Sequence, residues 1–205
     1  MLASGGYDKT VKLWDAVTGK EKAVLNGHAG EVNAVTWCPH GKTLASGSAD
    51  KTVKLWDTVA GKEQATLKEH ERPVTSVHFN PDGKTLASSG GPGEGKIKLW
   101  DVATGEEKAV FKGHSRTVSS VAFSPDGKTL ASVSDEIKLW DLATGKEKAT
   151  IAGGGLFVAW SADGKTLFTC DADGAIKLWD VAKGKEKAVL RGIRNVGGRR
   201  VESRW

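Results

Sequence analysis

His28, Ser46 and Asp50 have the residue types of a hydrolytic triad: a hydroxyl nucleophile, an imidazole to take its proton and a carboxylate to fix the imidazole's tautomer. The set recurs as His114, Ser132 and Asp135, and in part as His70 with Ser88 and as Thr169 with Asp173. Catalysis needs one convergent site, whereas a set that returns along the chain is a packing device. No Gly-x-Ser-x-Gly elbow presents any of these serines. A metal site fails on the same ground, because His28, His70 and His114 are spread at the repeat interval, while zinc needs about three or four ligands within bonding distance. Cys38-Pro39-His40 is a single pair in one turn, and the two cysteines, Cys38 and Cys170, form neither a CxxC motif nor a disulfide framework, so both are read as reduced thiols. The expectation is a chain that is not an enzyme, with no catalytic residue, no metal and no cofactor.

The interval itself sets the elements. Lys-Leu-Trp-Asp places tryptophans at 14, 56, 100, 140 and 179, spaced by 42, 44, 40 and 39 residues. A glycine stands five residues after each (Gly19, Gly61, Gly105, Gly145, Gly184), a turn residue suited to positive φ. Apolar residues alternate with period two, as in Thr52-Val53-Lys54-Leu55-Trp56, and turn clusters such as Pro81-Asp82-Gly83 and Pro125-Asp126-Gly127 interrupt them. Each unit therefore reads as a four-stranded antiparallel meander. Trp37, Phe79, Phe123 and Trp160 all end the first strand of a unit and are expected in the core between units.

These features resemble the WD40 family over about residues 1–190. The Trp-Asp pairs are joined by the Gly-His dipeptides Gly27-His28 and Gly113-His114, and by Glu69-His70 with the glycine lost. The resemblance implies an all-β fold, a β-propeller of about five four-stranded blades, near 1–26, 27–68, 69–112, 113–152 and 153–190, followed by an Arg-rich tail at 191–205. The first blade lacks its inner strand at the N-terminus, since Leu2-Ala3-Ser4 aligns with a second strand; that favours a fragment of a longer chain. His28, Ser46, Asp50 and Trp56 match the family's buried hydrogen-bonded tetrad, and so do His114, Ser132, Asp135 and Trp140. In the third blade the insertion Gly90-Gly91-Pro92-Gly93-Glu94-Gly95 replaces the turn aspartate, and the fifth blade has no histidine. The tail segment Arg200 to Trp205 alternates with period two and is a candidate for the missing strand; otherwise an unclosed edge would invite self-association.

Function is then expected on the face where the resemblance gathers the loops. The net charge of +5 is concentrated in the tail, whose five arginines against Glu202 carry +4, so residues 1–190 hold only +1 and offer no phosphate-tracking face. The two arginines of the body, Arg72 and Arg116, stand at the same repeat position two residues after a histidine, and guanidinium forks suit carboxylates. With Tyr7 and Glu31 in neighbouring loops, they are the expected contacts for a protein or acidic peptide, making the chain a protein–protein interaction scaffold. A sensory or substrate-docking domain of an enzyme such as a bacterial protein kinase is the alternative, and nucleic-acid binding through the tail ranks third. No membrane-spanning run and no secretory leader are seen, so the cytoplasm is the expected location.

Overall fold

The computed structural model describes residues 1–68 and 70–191. Their regular structure is strand throughout, in one three-stranded sheet followed by four four-stranded sheets. The first blade holds β1 (Leu2–Gly5), β2 (Val11–Trp14) and β3 (Glu21–Leu25), and the second β4 (Val32–Trp37), β5 (Thr43–Ser48), β6 (Val53–Asp57) and β7 (Lys62–Leu67). The third comprises β8 (Val74–Phe79), β9 (Thr85–Gly90), β10 (Lys96–Asp101) and β11 (Glu107–Lys112). The fourth comprises β12 (Ser120–Phe123), β13 (Thr129–Val133), β14 (Ile137–Asp141) and β15 (Lys146–Ile151). The fifth comprises β16 (Phe157–Trp160), β17 (Thr166–Cys170), β18 (Ile176–Asp180) and β19 (Lys185–Leu190). Within every sheet the strands pair antiparallel in chain order. The suggestion that Arg200 to Trp205 completes the first blade concerns residues outside those described.

The Trp-Asp pair explains where each third strand stops. The register slips by one residue between Leu and Trp in all five blades, as between Leu55 and Trp56, a bulge that turns the strand outward. Asp57 Oδ1 then accepts from the backbone N–H groups of Val59 and Ala60 at 2.8 Å each, and Gly61 completes the turn at φ 64°. The motif's aspartate is thus a turn former, separate from the aspartate that meets histidine.

The core is a series of junctions. Ala45, Val53, Leu55 and Leu67 of the second blade pack on Val77, Phe79, Leu86 and Trp100 of the third. The next two junctions repeat this pattern, with Phe123 and Trp160 in the roles of Phe79. The inner strands β4, β8, β12 and β16 contact one another in succession and line a shared cavity of about 640 Å³. Among the described residues the sheets do not close into a ring: Leu2 in the first blade and Ile176 and Leu190 in the fifth are 59%, 40% and 55% exposed.

Candidate functional site

In the second blade the histidine is held by β5, β6 and the turn between them. His28 Nε2 lies 2.7 Å from Ser46 Oγ, Trp56 Nε1–H donates to the same oxygen at 2.8 Å, and His28 Nδ1 lies 2.8 Å from Asp50 Oδ2. A carboxylate can only accept, so Nδ1 carries the proton and Nε2 accepts from the serine hydroxyl. Burial pushes His28 below its ordinary pKa even though Asp50 pulls the other way, which keeps the ring neutral. Burial of Asp50 is outweighed by hydrogen bonds from Thr52, His28 and the Ala29 N–H, and its carboxyl stays well below the usual range. Ser46 and Trp56 are 0% and 1% exposed, so no substrate can reach this serine. The histidine, serine and aspartate are brought together as the connection between loop and sheet.

The third blade departs from expectation. The insertion supplies its own carboxylate: Glu94 Oε1 lies 2.9 Å from His70 Nδ1, its Oε2 accepts from the Arg72 N–H at 3.2 Å, and His70 Nε2 bonds Ser88 Oγ at 2.6 Å. Glu94 is therefore buried beneath the loops and not presented in a surface turn. Gly90 makes room for it, because a Cβ there would stand 2.1 Å from Glu94 Oε2. A glutamate inside a glycine-rich insertion was the available signal, obscured because its offset from the histidine differs from that of Asp50.

The fourth blade corrects a second expectation. His114 Nε2 meets Ser132 Oγ at 2.7 Å and Trp140 Nε1 donates to it at 2.8 Å, but Asp135 does not join them. The turn is two residues shorter than that of the second blade, and Asp135 faces solvent, where Arg116 Nε lies 3.1 Å from its Oδ2. Among the described residues, His114 Nδ1 is the buried side-chain nitrogen without a hydrogen-bond partner. Burial, reinforced by the Lys138 charge, pushes its pKa down to about 4. The fifth blade keeps the Trp179 Nε1 to Thr169 Oγ1 bond at 2.9 Å. Its loop packs on the fourth blade's turn: a Cβ on Gly154 would stand 2.5 Å from the Ser134 carbonyl oxygen.

The loops above these networks carry the surface residues. Tyr7 is 85% exposed, and the Gly6 carbonyl beside it accepts from the Val32 N–H at 3.0 Å, which sets Tyr7's turn next to exposed Glu31. Arg72 is exposed and makes no ion pair among the described residues. The insertion lies between the two arginine loops: a Cβ on Gly93 would approach Arg72 Nε to 3.9 Å, and one on Gly95 would meet the carbonyls of His114 and Arg116. Cys38 and His40 are engaged by the next blade's turn, through contacts to the carbonyls of Gly83 and Asp82.

The family model described as "WD domain, G-beta repeat" matches residues 1–15, 19–57, 61–101, 105–141 and 150–180. The chain belongs to the WD40-repeat family. WD40 domains are protein-interaction scaffolds and are typically non-catalytic. Among individual proteins, this WD40 chain is similar to Coronin-7 of Mus musculus, 46% identical over 44 residues, which is 22% of the chain and 5% of that protein. It is also 46% identical over 43 residues to ribosome assembly protein 4 of Chaetomium thermophilum, covering 21% of the chain and 8% of the relative. To the human peroxisomal targeting signal 2 receptor it is 40% identical over 40 residues, covering 20% of the chain and 12% of the receptor. Each match is about one repeat long and spans a small part of its relative.

Proposed function

We propose that this WD40 chain is a non-catalytic adaptor that binds an acidic peptide segment of a partner across the loops of the third and fourth blades. The observation that supports the reading is the position of the insertion between the two arginine loops, with Gly93 beside the Arg72 side chain and Gly95 against the Arg116 backbone carbonyl. Arg72 offers its whole fork. Arg116 is held by Asp135 in a pair exposed at 74% and 64%, and so exposed a pair is worth about 0–1 kcal/mol, which a better-placed carboxylate can displace. Tyr7 and Glu31 lie at the first two blades and extend the same loop surface. A relative named as a receptor for a targeting signal supports the reading of this repeat as a binder.

The test uses a fluorescent peptide rich in glutamate beside a neutral peptide of the same length. The Arg72→Ala, Arg116→Ala double variant should lose roughly tenfold or more in affinity for the acidic peptide, the equivalent of about 1.4 kcal/mol, while its stability stays within about 0.5 kcal/mol of the parent. Equal affinity in parent and variant would remove the arginines from the reading.

A further inference from the structure

The second and third blades bring a carboxylate to the same kind of donor pair from two different turns. In the second, Asp50 Oδ2 accepts from His28 Nδ1–H and from the Ala29 N–H, each at 2.8 Å. In the third, Glu94 accepts from His70 Nδ1–H at 2.9 Å and, through its other oxygen, from the Arg72 N–H at 3.2 Å. Two turns of different length and sequence that converge on one arrangement define a carboxylate position over the histidine of a blade.

The fourth blade keeps the donor and lacks the acceptor. His114 is 8% exposed, and among the described residues its Nδ1 has no hydrogen-bond partner. That nitrogen carries the proton. Ser132 Oγ accepts from the Trp140 indole at 2.8 Å, and its own hydrogen goes to His114 Nε2 at 2.7 Å in preference to the Lys138 carbonyl at 3.5 Å. A buried N–H with nothing to donate to has lost its water without replacement, so an acceptor that reaches it recovers that cost. Ser115 follows His114 as Ala29 follows His28, and its N–H is the counterpart of the second donor.

The surroundings suit an acceptor from outside the chain. Asp135, on its shortened turn, is drawn away by Arg116 at 3.1 Å in a pair that faces solvent. Arg116, Ser134, Asp135, Gly154 and Gly155 line an open cleft of about 400 Å³ on that side. Charge brought here meets Arg116 and the field of Lys138, while Glu136 and Glu147, which oppose it, are tied to Lys138 Nζ at 3.0 and 2.9 Å.

We infer that the carboxylate missing from the fourth blade is supplied by the partner: a glutamate or aspartate side chain of the bound segment accepts from His114 Nδ1–H, in the place that Asp50 and Glu94 fill in their own blades. This rests on the reading of the chain as an acidic-peptide adaptor and names the position at which that peptide is read. Arg72 and Arg116 attract the segment, and the neutral imidazole selects one directed carboxylate within it.

The test follows the histidine Nδ1–H resonances of the nitrogen-15-labelled chain by NMR, with His114 assigned by its absence from His114→Asn. On titration with the glutamate-rich peptide the His114 signal should move toward those of His28 and His70, which stay in place; the neutral peptide should move none. The same movement should occur in Asp135→Asn. Replacing Asp135-Glu136 with a copy of the second blade's turn, Ala49-Asp50-Lys51-Thr52, should bring the His114 signal to its shifted position without peptide. That replacement should weaken peptide binding roughly tenfold, although it frees Arg116. A His114 signal unmoved at saturation, movement lost in Asp135→Asn, which would make the carboxylate the chain's own, or parental affinity in the turn replacement would each overturn the inference. If the signal stays still while the double arginine variant binds more weakly, the adaptor reading stands without this site; a peptide that does not bind the parent defeats both.

Discussion

A carboxylate opposite histidine Nδ1 separates the blades more sharply than the histidine itself does. Asp50 and Glu94 fill that place from different turns, whereas Asp135 has left it for Arg116. Asp50→Ala should cost about 2–3 kcal/mol in urea unfolding, because it strands a buried donor and removes a charge-assisted bond, while Asp135→Ala should stay within about 0.5 kcal/mol. The unpaired ring also predicts a pH response. An unfolded histidine takes up its proton near 6.5, but His114 in the fold resists until about 4. Its contribution to stability is therefore complete above 6.5, is lost progressively as pH falls toward 4, and then levels off, amounting to no more than about 3 kcal/mol. His28 and His70 shift in the same direction. Replacing His114 with Asn should flatten the slope of unfolding free energy between those pH values; an unchanged slope would assign it elsewhere. Residue types and spacing made Ser46, Asp50 and Trp56 legible from sequence. They could not reveal that Asp135 turns outward, because whether a side chain turns in or out depends on the length of the turn that carries it.

At the scale of strands and turns, period-two alternation, turn glycines and the Trp interval located the blades, since each signal arises within a few residues of the structure it specifies. The Lys-Glu-Thr ties across the outer strands were not legible. Lys54 lies 8% exposed between Glu63 and Thr66, at 2.6 and 2.7 Å, and Lys138 is held likewise by Glu147 and Thr150. Their burial depends on which face the bulge turns outward. The blades should also differ in how much each tryptophan supports. Trp56→Ala removes a large buried ring and breaks a four-residue network, a loss of about 3–5 kcal/mol. Trp179→Ala should cost less in the same thermal or urea measurement, because only the bond to Thr169 and the packing on the fourth blade are lost. Equal losses would mean that the histidine network adds nothing to the packing of the ring.

For the whole molecule, the three-stranded first sheet could be anticipated from Leu2-Ala3-Ser4 aligning with a second strand, but the exposure of Phe157 could not, because it appears only when residues on one sheet face are compared across blades. One further consequence follows from junctions in which each blade packs mainly on its immediate neighbours. Contacts of that kind make the molecule a one-dimensional stack, whose free energy is close to a sum of blade terms and nearest-neighbour terms. Among the described residues the second, third and fourth blades are each secured by two such terms, and the first and fifth by one. Unfolding then has two natural starting points and proceeds inward like a fraying rope, with the third blade the last to come apart.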